Sequence, residues 1–390
     1  MQRNLFSALV LASCLSGVVH AASNKPVPQL PKEWEEIVVG GEALCSRGTP
    51  YSFFVSQGKS NKVVIDFMGG GACWDEETCA HDTKTFLESV ADFKRIFEPT
   101  GIYARKHNDN PLKDWTHVIV PYCTGDLHWG SNDQEYTRED GRKFTINHRG
   151  AFNTRAVLKY VEEHFRNPEK VLVTGYSAGA YASVYWLPPI QEMYKHSSVM
   201  QFGDSGISPI TEGFAKKAFT RWNAQAAFTQ WNVQKTGAKI PDLDPKNVDW
   251  NKLQIGFIYE KLMNYLPDIP FGHYTTAFDG TQRGFFWLMH GDTKQWPELV
   301  KNTLQTLGKS SKFRYFSSQG TEHGILAFTR FYDVKSTDDE LFQKWFKSYV
   351  EGGTLKNHDC VNCIDDEKEM WIELRKPKEP AQIEEANLEL

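Results

Sequence analysis

The chain contains 390 residues, of which 40% are hydrophobic and 24% are charged. This balance is typical of a globular protein with a large core and not of a disordered segment. The formal net charge of −5 supplies no basic surface for nucleic acid or for an anionic membrane, so we expect neither as a partner. Beyond the first 22 residues, no apolar run approaches the roughly 20 residues that a membrane-spanning helix needs.

The first 22 residues have the pattern of a signal peptide. Arg3 is followed by a largely apolar run from Leu5 to Val19, and Val19-His20-Ala21 satisfies the small-residue rule for cleavage after Ala21 or Ala22. Leu11-Ala12-Ser13-Cys14 also resembles a bacterial lipobox, which would place a lipid on Cys14. The apolar run continues past that cysteine and favours soluble export. We therefore expect a secreted or periplasmic protein.

Short apolar runs alternate with helix-like segments over most of the chain. Buried strands are predicted at Val63–Met68, His117–Pro121, Lys170–Thr174 and Ser198–Phe202. A helix is predicted from Ala151 to Phe165, where apolar residues recur at helical spacing. Strands that alternate with helices form a mostly parallel sheet with helices on both faces, so the predicted class is α/β.

Residues 208–270 follow a different pattern, in which helix-like stretches such as Glu212–Gln230 are interrupted by prolines. Three tryptophans fall in this segment: Trp222, Trp231 and Trp250. We interpret the segment as a helical cap or insertion within an esterase domain of residues 23–364, although aromatic residues at helical spacing also pack into cores. The charge-rich residues 365–390 are predicted to form a loosely attached tail.

The most informative stretch is Gly175-Tyr176-Ser177-Ala178-Gly179, which reads G-x-S-x-G. It directly follows the apolar run Val171–Thr174 and precedes a helix-compatible segment, Ala180 to Tyr194. A strand, a sharp glycine-flanked turn and a helix form the nucleophile elbow of α/β-hydrolases, in which Ser177 would be the nucleophile. A serine in such a loop is otherwise often only a helix N-cap.

A serine nucleophile needs a base, and in this fold the chain order is serine, then acid, then histidine. The histidines after Ser177 are His196, His273, His290, His323 and His358. His323 is the preferred base, because it lies in a turn-like stretch after the strand-like run Phe313–Ser317. Asp279, before a glycine and between Ser177 and His323, is the preferred acid. Asp204 and Asp292 are the alternatives.

An oxyanion requires N–H donors directed at one point. The Ala178 amide, directly after the serine, is one candidate. Gly69-Gly70-Gly71-Ala72 follows a buried strand upstream of the elbow and is the expected source of the others, in particular Gly70 and Gly71. Gly203-Asp204-Ser205-Gly206 resembles the G-D-S-G of chymotrypsin-type proteases. Those proteases consist of β-barrels, so we set Ser205 aside as nucleophile while expecting this stretch to line the pocket.

Six cysteines follow the signal peptide, and an even number in an exported chain indicates disulfides. Cys73 and Cys79 can pair locally, as can Cys360 and Cys363, which leaves Cys45 and Cys123 as a long-range pair. Six cysteines allow fifteen connectivities, so this pairing is a preference. The alternative for Cys360 and Cys363, with His358 nearby, is half a zinc site, but a single C-x-x-C pair is weak support for zinc.

These segments together resemble the pectin acetylesterase/Notum family of secreted carboxylesterases, of which we expect this chain to be a bacterial member. Cys45 to Tyr51 resembles the family's C-x-D-G-S-P-x segment, with Arg47 in place of the acid. Gly70 to Trp74 is similar to its G-G-W-x-C loop, with Gly71 where the family usually has Trp. The other similar segments are Pro121–Asp126, Gly175–Gly179, Gly203–Gly206, Ala277–Gln282 and Glu322–His323.

The resemblance extends from about Glu36 to Cys363 and implies roles for individual residues. Ser177, Asp279 and His323 would form the triad, and Gly70, Gly71 and Ala178 would donate to the oxyanion. It also supports pairing Cys45 with Cys123 and Cys73 with Cys79. Family members remove O-acyl groups, namely acetyl from pectin in plants and a fatty acyl group from a signalling protein in animals.

We therefore expect a secreted serine carboxylesterase that removes O-acyl groups, acetyl foremost, from a carbohydrate or another acylated substrate. The acyl-enzyme mechanism requires no metal and no organic cofactor. The partner would be an acylated small molecule or a polysaccharide, and the protein is expected to be a monomer. The alternatives are a non-catalytic carbohydrate-binding protein, for which twelve tryptophans could form a stacking surface, and a longer-chain lipase, depolymerase or peptidase on the same fold.

Overall fold

The computed structural model describes residues 29–226 and 248–365. The predicted signal peptide, Trp231 and the tail beyond residue 365 lie outside the described residues. The strands in these two ranges are β1 Glu35–Leu44, β2 Pro50–Ser56, β3 Lys62–Phe67, β4 Thr116–Val120, β5 Asn132–Thr137, β6 Lys143–His148, β7 Lys170–Tyr176, β8 Ser198–Asp204, β9 Phe271–Thr276 and β10 Phe313–Ser318. The α-helices are α1 Val90–Ile96, α2 Gly150–His164, α3 Ala178–Tyr185, α4 Leu187–Met193, α5 Glu212–Arg221, α6 Ile255–Tyr265, α7 Gly280–Leu288, α8 Trp296–Leu307 and α9 Phe342–Glu351.

Eight of these strands form one sheet in the order β1-β2-β4-β3-β7-β8-β9-β10. The pairs β1/β2 and β2/β4 are antiparallel, and every pair from β4 to β10 is parallel. Strands β5 and β6 form a separate antiparallel ribbon. The predicted mostly parallel α/β sheet is confirmed, with an antiparallel edge that the sequence patterns did not indicate.

The central strands are short apolar runs, and nearly every residue in them is buried. In β4 and β9 all residues are buried, and in β3, β7 and β8 all but one or two terminal residues are. Since successive side chains of a strand point to opposite faces, continuous burial requires both faces of the sheet to be covered. Helix α9 covers part of one face, where Phe202 packs against Phe346 at a centroid distance of 5.0 Å.

The helix predicted over Ala180–Tyr194 is present as two helices, which meet at Trp186. Pro188 and Pro189 lack the N–H groups that would continue the hydrogen-bond ladder, so the first helix ends and a second begins with prolines in its first turn. The residues of the predicted cap that the structure describes include α5 and α6.

The topology brings the ends of six parallel strands to one edge of the sheet. The carboxyl ends of β4, β3, β7, β8, β9 and β10 lie at this edge. Ligand sites of open α/β sheets occur at this edge. Within residues 29–226 and 248–365, no helix combines the length and apolar character needed to cross a membrane.

Candidate active site

Ser177 lies in a sharp turn between the last residue of β7 and the first residue of α3. Its backbone φ of +55° is rare for a residue with a side chain, and such conformations persist where the surrounding structure holds them. Gly175 and Gly179 approach the Phe67 carbonyl so closely that a Cβ on either would overlap it. The turn predicted from the G-x-S-x-G sequence is therefore present, and its glycines are required by contact with β3.

Asp279 and His323 are brought together by the loops after β9 and β10. His323 Nδ1 lies 2.9 Å and 3.0 Å from the two carboxylate oxygens of Asp279. Asp279 is fully buried and caps α7, where it accepts the Gln282 amide at 2.8 Å and the Gln282 side-chain amide at 2.9 Å. Because a carboxylate only accepts hydrogen bonds, Nδ1 of the imidazole carries the proton and Nε2 is left to accept one.

The electrostatic surroundings of His323 favour its charged form. Burial alone lowers the pKa of the imidazole, but the charge of Asp279 and the hydrogen bond that it accepts raise that pKa by more, so the net shift is upward. Nε2 of His323 has no hydrogen-bond partner among the described residues, and its side chain is 17% exposed. The imidazole is thus held through Nδ1, and its Nε2 is left without a hydrogen-bond partner among the described residues.

Ser177 and His323 line the same pocket, a cleft of about 540 Å³ that is open to solvent. Its apolar wall consists of Trp74, Leu127, Ile210, Phe214, Phe285 and Met289. The polar side chains at its surface include Tyr181, Ser205, Ser208 and Gln282. An ester could lie with its carbonyl at the serine and its acyl chain against the apolar wall.

The glycine loop after β3 adjoins this pocket through Gly71 and Ala72, and Ala178 lines it from the start of α3. Gly70 lies just outside the wall, where its carbonyl accepts the Leu87 amide at 2.9 Å. Ala72 donates its own amide to Thr85. The amides of Gly70, Gly71 and Ala178 donate to no acceptor among the described residues. Gly71 and Ala178 therefore line the pocket and have amides with no acceptor among the described residues.

Comparison with known proteins identifies the family. The sequence profile of the family described as pectinacetylesterase matches residues 36–257, more than half of the chain. The chain belongs to this family. The matched residues include the glycine loop and Ser177, whereas Asp279 and His323 lie beyond them.

Among curated relatives of this pectinacetylesterase-family chain is a palmitoleoyl-protein carboxylesterase, notum2, from Xenopus laevis. It is 29% identical over 142 residues, which cover 35% of this chain and 27% of that protein. A second, notum1a from Danio rerio, is 25% identical over 174 residues, which cover 42% of this chain and 33% of that protein. The matched part of this chain thus spans about a quarter to a third of each relative's length.

A solved structure shares the fold. The structure titled as the Wnt deacylase Notum from Drosophila superposes with a TM-score of 0.54 at 18% identity, over 84% of this chain and 97% of that chain. Together with the mostly parallel sheet, this similarity places the pectinacetylesterase-family chain in the α/β-hydrolase-type fold.

The backbone at residue 71 favours glycine. Gly71 has a φ of +81°, and a Cβ there would overlap the Thr85 carbonyl. This backbone excludes any large side chain at residue 71. Trp74, three residues later, is 3% exposed, lines the pocket and packs edge-on against Phe214 at 4.8 Å.

The other candidate acids and bases lie elsewhere. Asp292 is exposed and bonds to the following turn, and Asp204 is buried beneath the pocket. His196 and His290 are exposed, His273 is buried in the sheet, and His358 bonds to Asp338 at 2.7 Å. Among the five histidines after Ser177, His323 alone lines the described pocket.

The described part of the chain contains three disulfides, namely Cys45–Cys123, Cys73–Cys79 and Cys360–Cys363. This is the pairing that the sequence spacing favours. Because Cys360 and Cys363 are bonded to each other, the zinc alternative for these two residues is wrong. The one cluster of potential metal ligands in the described ranges contains Cys73, Cys79 and His148, of which both cysteines are already in a disulfide.

Sequence reasoning missed most of the apolar pocket wall. Thr281, Phe285 and Met289 are four residues apart on α7 and its end, and all three line the pocket. Phe214 reaches it from α5. The four-residue spacing after Asp279 was visible in the sequence as one helix face. The contribution of α5 depends on tertiary packing and carried no such signal.

Proposed function

We propose that this chain is a serine carboxylesterase that cleaves O-acyl esters. The observation that carries the proposal is the shared pocket of Ser177 and His323, with His323 bonded to Asp279 at 2.9 Å. In this scheme Ser177 Oγ attacks the ester carbonyl, and His323 Nε2 takes the proton and later returns it to the leaving alkoxide. Asp279 fixes the histidine tautomer and stabilises the imidazolium. Water then releases the acyl group from Ser177.

The developing oxyanion would be held by the unused amides of the pocket. In this proposal Ala178 and Gly71, which line the pocket, supply two of the donors, and Gly70 is the third candidate. The loss of one such donor typically lowers kcat by about 10²–10³-fold. The start of α3 adds the partial positive charge of its N-terminus at the same place. This arrangement supports ester chemistry in a chain whose family is defined by an acetylesterase.

For the acyl group, we propose acetyl first. The family's description as pectinacetylesterase supports it, and a carbohydrate or another acylated molecule is the proposed alcohol side. A longer acyl chain is the second candidate, which the apolar wall and the names of the palmitoleoyl-protein carboxylesterase relatives favour. Each methylene of the acyl chain that is buried stabilises the bound substrate by about 0.8 kcal/mol, which corresponds to about fourfold in kcat/KM. A series of p-nitrophenyl esters separates the two candidates: kcat/KM falls from acetate onward for the first and rises with chain length for the second.

The cap and the location of the protein are further parts of the proposal. Ser208, Ile210 and Phe214 line the pocket, which supports a cap formed by the described part of residues 208–270; residues 227–247 lie outside the described ranges. Three disulfides support an oxidising compartment, and we propose that the protein is secreted or periplasmic and acts as a monomer.

The binding-protein alternative has less support. Eight of the ten tryptophans within the described ranges are buried, and Trp287 is the one with a large exposed fraction, 49%. Indoles buried to this extent cannot form an exposed sugar-stacking surface.

The test is hydrolysis of p-nitrophenyl acetate by Ser177→Ala. We expect loss of activity with the fold retained, because Ser177 is the group that forms the acyl-enzyme in this scheme. The matched control is Ser183→Ala, on the same helix but outside the pocket, which should retain activity. Substantial activity in a folded Ser177→Ala protein would exclude the proposed mechanism.

A further inference from the structure

Asp204, the last residue of β8, connects the nucleophile turn to the loop that carries His323. Its backbone carbonyl accepts the Ser177 amide at 2.8 Å. Its carboxylate accepts the amides of Ile325 at 2.7 Å and Leu326 at 2.8 Å. The Asp204 side chain is fully buried. A single residue therefore bonds to the backbone of the candidate nucleophile and to the backbone that follows the candidate base.

Ser205 extends this connection by one residue. Its hydroxyl donates to Asp204 at 3.0 Å and accepts the Gly324 amide at 3.0 Å. The three consecutive backbone amides after His323 therefore all donate hydrogen bonds to the side chains of Asp204 and Ser205. Ser205 has a φ of +54°, a left-handed conformation that costs about 1–2 kcal/mol for a residue with a Cβ. Its amide donates to Tyr274 at 2.8 Å, which holds it in that conformation.

The His323 loop (residues 320–328) is thus held from two sides. Asp279 holds the imidazole through Nδ1, and Asp204 and Ser205 hold the backbone that follows it. Arg330 adds a contact by donating to the Gly324 carbonyl. The position of Nε2 relative to Ser177 depends on both the bond to Asp279 and the bonds to Asp204 and Ser205. If the loop backbone moves, the imidazole can turn about its side-chain bonds and Nε2 is displaced. A displacement of about 1 Å at a reacting group costs on the order of 10²-fold in rate.

We propose that Asp204 and Ser205 are positioning residues that hold the His323 loop against the nucleophile turn. This role rests on the esterase function proposed above. Neither residue reacts with the substrate in this scheme, and each acts through the backbone of the loop.

The two residues differ in charge, so their effects can be separated. Asp204 contributes to the upward shift in the pKa of His323, whereas the Ser205 hydroxyl is neutral. The titratable and charged groups that act on Asp204, or are acted on by it, are Asp66, Tyr103, Tyr176, Tyr274, His323 and Arg330. In Asp204→Asn the side-chain oxygen can still accept the loop amides and the side-chain N–H can donate to Ser205. This variant removes the charge and retains the geometry.

The experiment measures kcat and KM for p-nitrophenyl acetate across the pH range in the wild type and the variants. Asp204→Ala should lower kcat by about 10²-fold with KM changed by no more than a few fold. Ser205→Ala should lower kcat without moving the acidic limb of the pH profile. Asp204→Asn should retain most of kcat and move that limb to lower pH, since loss of the negative charge lowers the pKa of His323.

The matched control is Asp126→Ala. Asp126 is also fully buried and also accepts two backbone amides, from Gly150 at 2.8 Å and His128 at 3.1 Å, but it does not contact the His323 loop. A general loss of stability would appear in both alanine variants. The fall in kcat should appear in Asp204→Ala and Ser205→Ala, and the shift of the pH profile in Asp204→Asn, whereas Asp126→Ala should show neither.

Amide hydrogen exchange of residues 324–326 adds a readout that needs no activity. Exchange should accelerate in Asp204→Ala and Ser205→Ala and stay unchanged in Asp126→Ala. The proposal is overturned if exchange there does not change, or if Asp204→Ala loses no more kcat than Asp126→Ala. If Asp204→Ala does not fold, Asp204→Asn and Ser205→Ala decide the outcome. A wild-type protein without esterase activity would overturn the proposed function, and faster exchange would then still support the anchoring of the loop.

Discussion

Replacement of Gly71 by alanine should inactivate the enzyme. Gly71 has a φ of +81°, and a Cβ there would overlap the Thr85 carbonyl. The loop would have to move by about 1 Å to restore the 3.0 Å separation that real Cβ atoms respect. A shift of that size at a catalytic group costs on the order of 10²-fold, and complete loss of one oxyanion donor costs about 10²–10³-fold. We therefore expect kcat for p-nitrophenyl acetate to fall by about 10²–10³-fold, with a smaller change in KM.

Gly141 provides the matched control for this substitution. Its φ is +83°, nearly that of Gly71, but no atom lies within 4 Å of the position that a Cβ would occupy. Gly141→Ala thus reproduces the backbone strain, about 1–2 kcal/mol, without the overlap and away from the pocket. Steady-state kinetics and thermal unfolding are measured for both variants. A folded Gly71→Ala protein with kcat within threefold of the Gly141→Ala value would refute the assignment of Gly71 as an oxyanion donor.

Three further predictions follow from the same structure. Asp279→Asn should lower kcat by about 10³–10⁴-fold, and in a pH–rate profile its residual activity should have an acidic limb at lower pH, because Asp279 raises the pKa of His323. Burial raises the pKa of Asp66 to about 7, although the hydrogen bond from Tyr103 lowers it, so the folded protein keeps a proton that the unfolded chain loses from about pH 4. The stability of the wild type therefore falls as pH rises from about 4 to about 7. In urea unfolding over that range, Asp66→Asn should gain up to about 4 kcal/mol relative to the wild type. In denaturant unfolding, loss of the Cys45–Cys123 disulfide, which closes a separation of 78 residues, should cost about 4.5 kcal/mol, against about 2.4 kcal/mol for Cys73–Cys79 with its separation of 6.

Much of the fold was predictable from the sequence, because the patterns that indicate its strands and the nucleophile turn each lie within a short segment of the chain. The apolar runs around Val63, Val118 and Val171 are short and bounded, and each is a buried strand. The strand, glycine-flanked turn and helix around Ser177 are also encoded within a few residues. The antiparallel edge was not predicted. Strand β1 is mostly exposed, and β2, although buried, was not assigned as a strand from the sequence. The break at Trp186 was foreseeable from the two prolines that follow it.

The site was only partly predictable, because its parts come from distant segments. Chain order suggested Asp279 and His323 as partners, and the structure places them within hydrogen-bond distance. The bonds from Asp204 and Ser205 to the His323 loop join residues about 120 positions apart, and no local pattern encodes them. The Gly203-Asp204-Ser205-Gly206 sequence resembles a protease motif in which the serine is the nucleophile, a role that was set aside for Ser205. Its contacts indicate a supporting role instead.

The central claim is that Ser177 is an activated nucleophile, and covalent labelling tests it most directly. The wild-type protein is treated with a fluorophosphonate, which reacts with activated serines, and the labelled peptide is identified by mass spectrometry. We predict a single adduct on Ser177 that is absent from Ser177→Ala. An adduct on Ser205 or on another residue, or no adduct in a folded protein, would contradict the account.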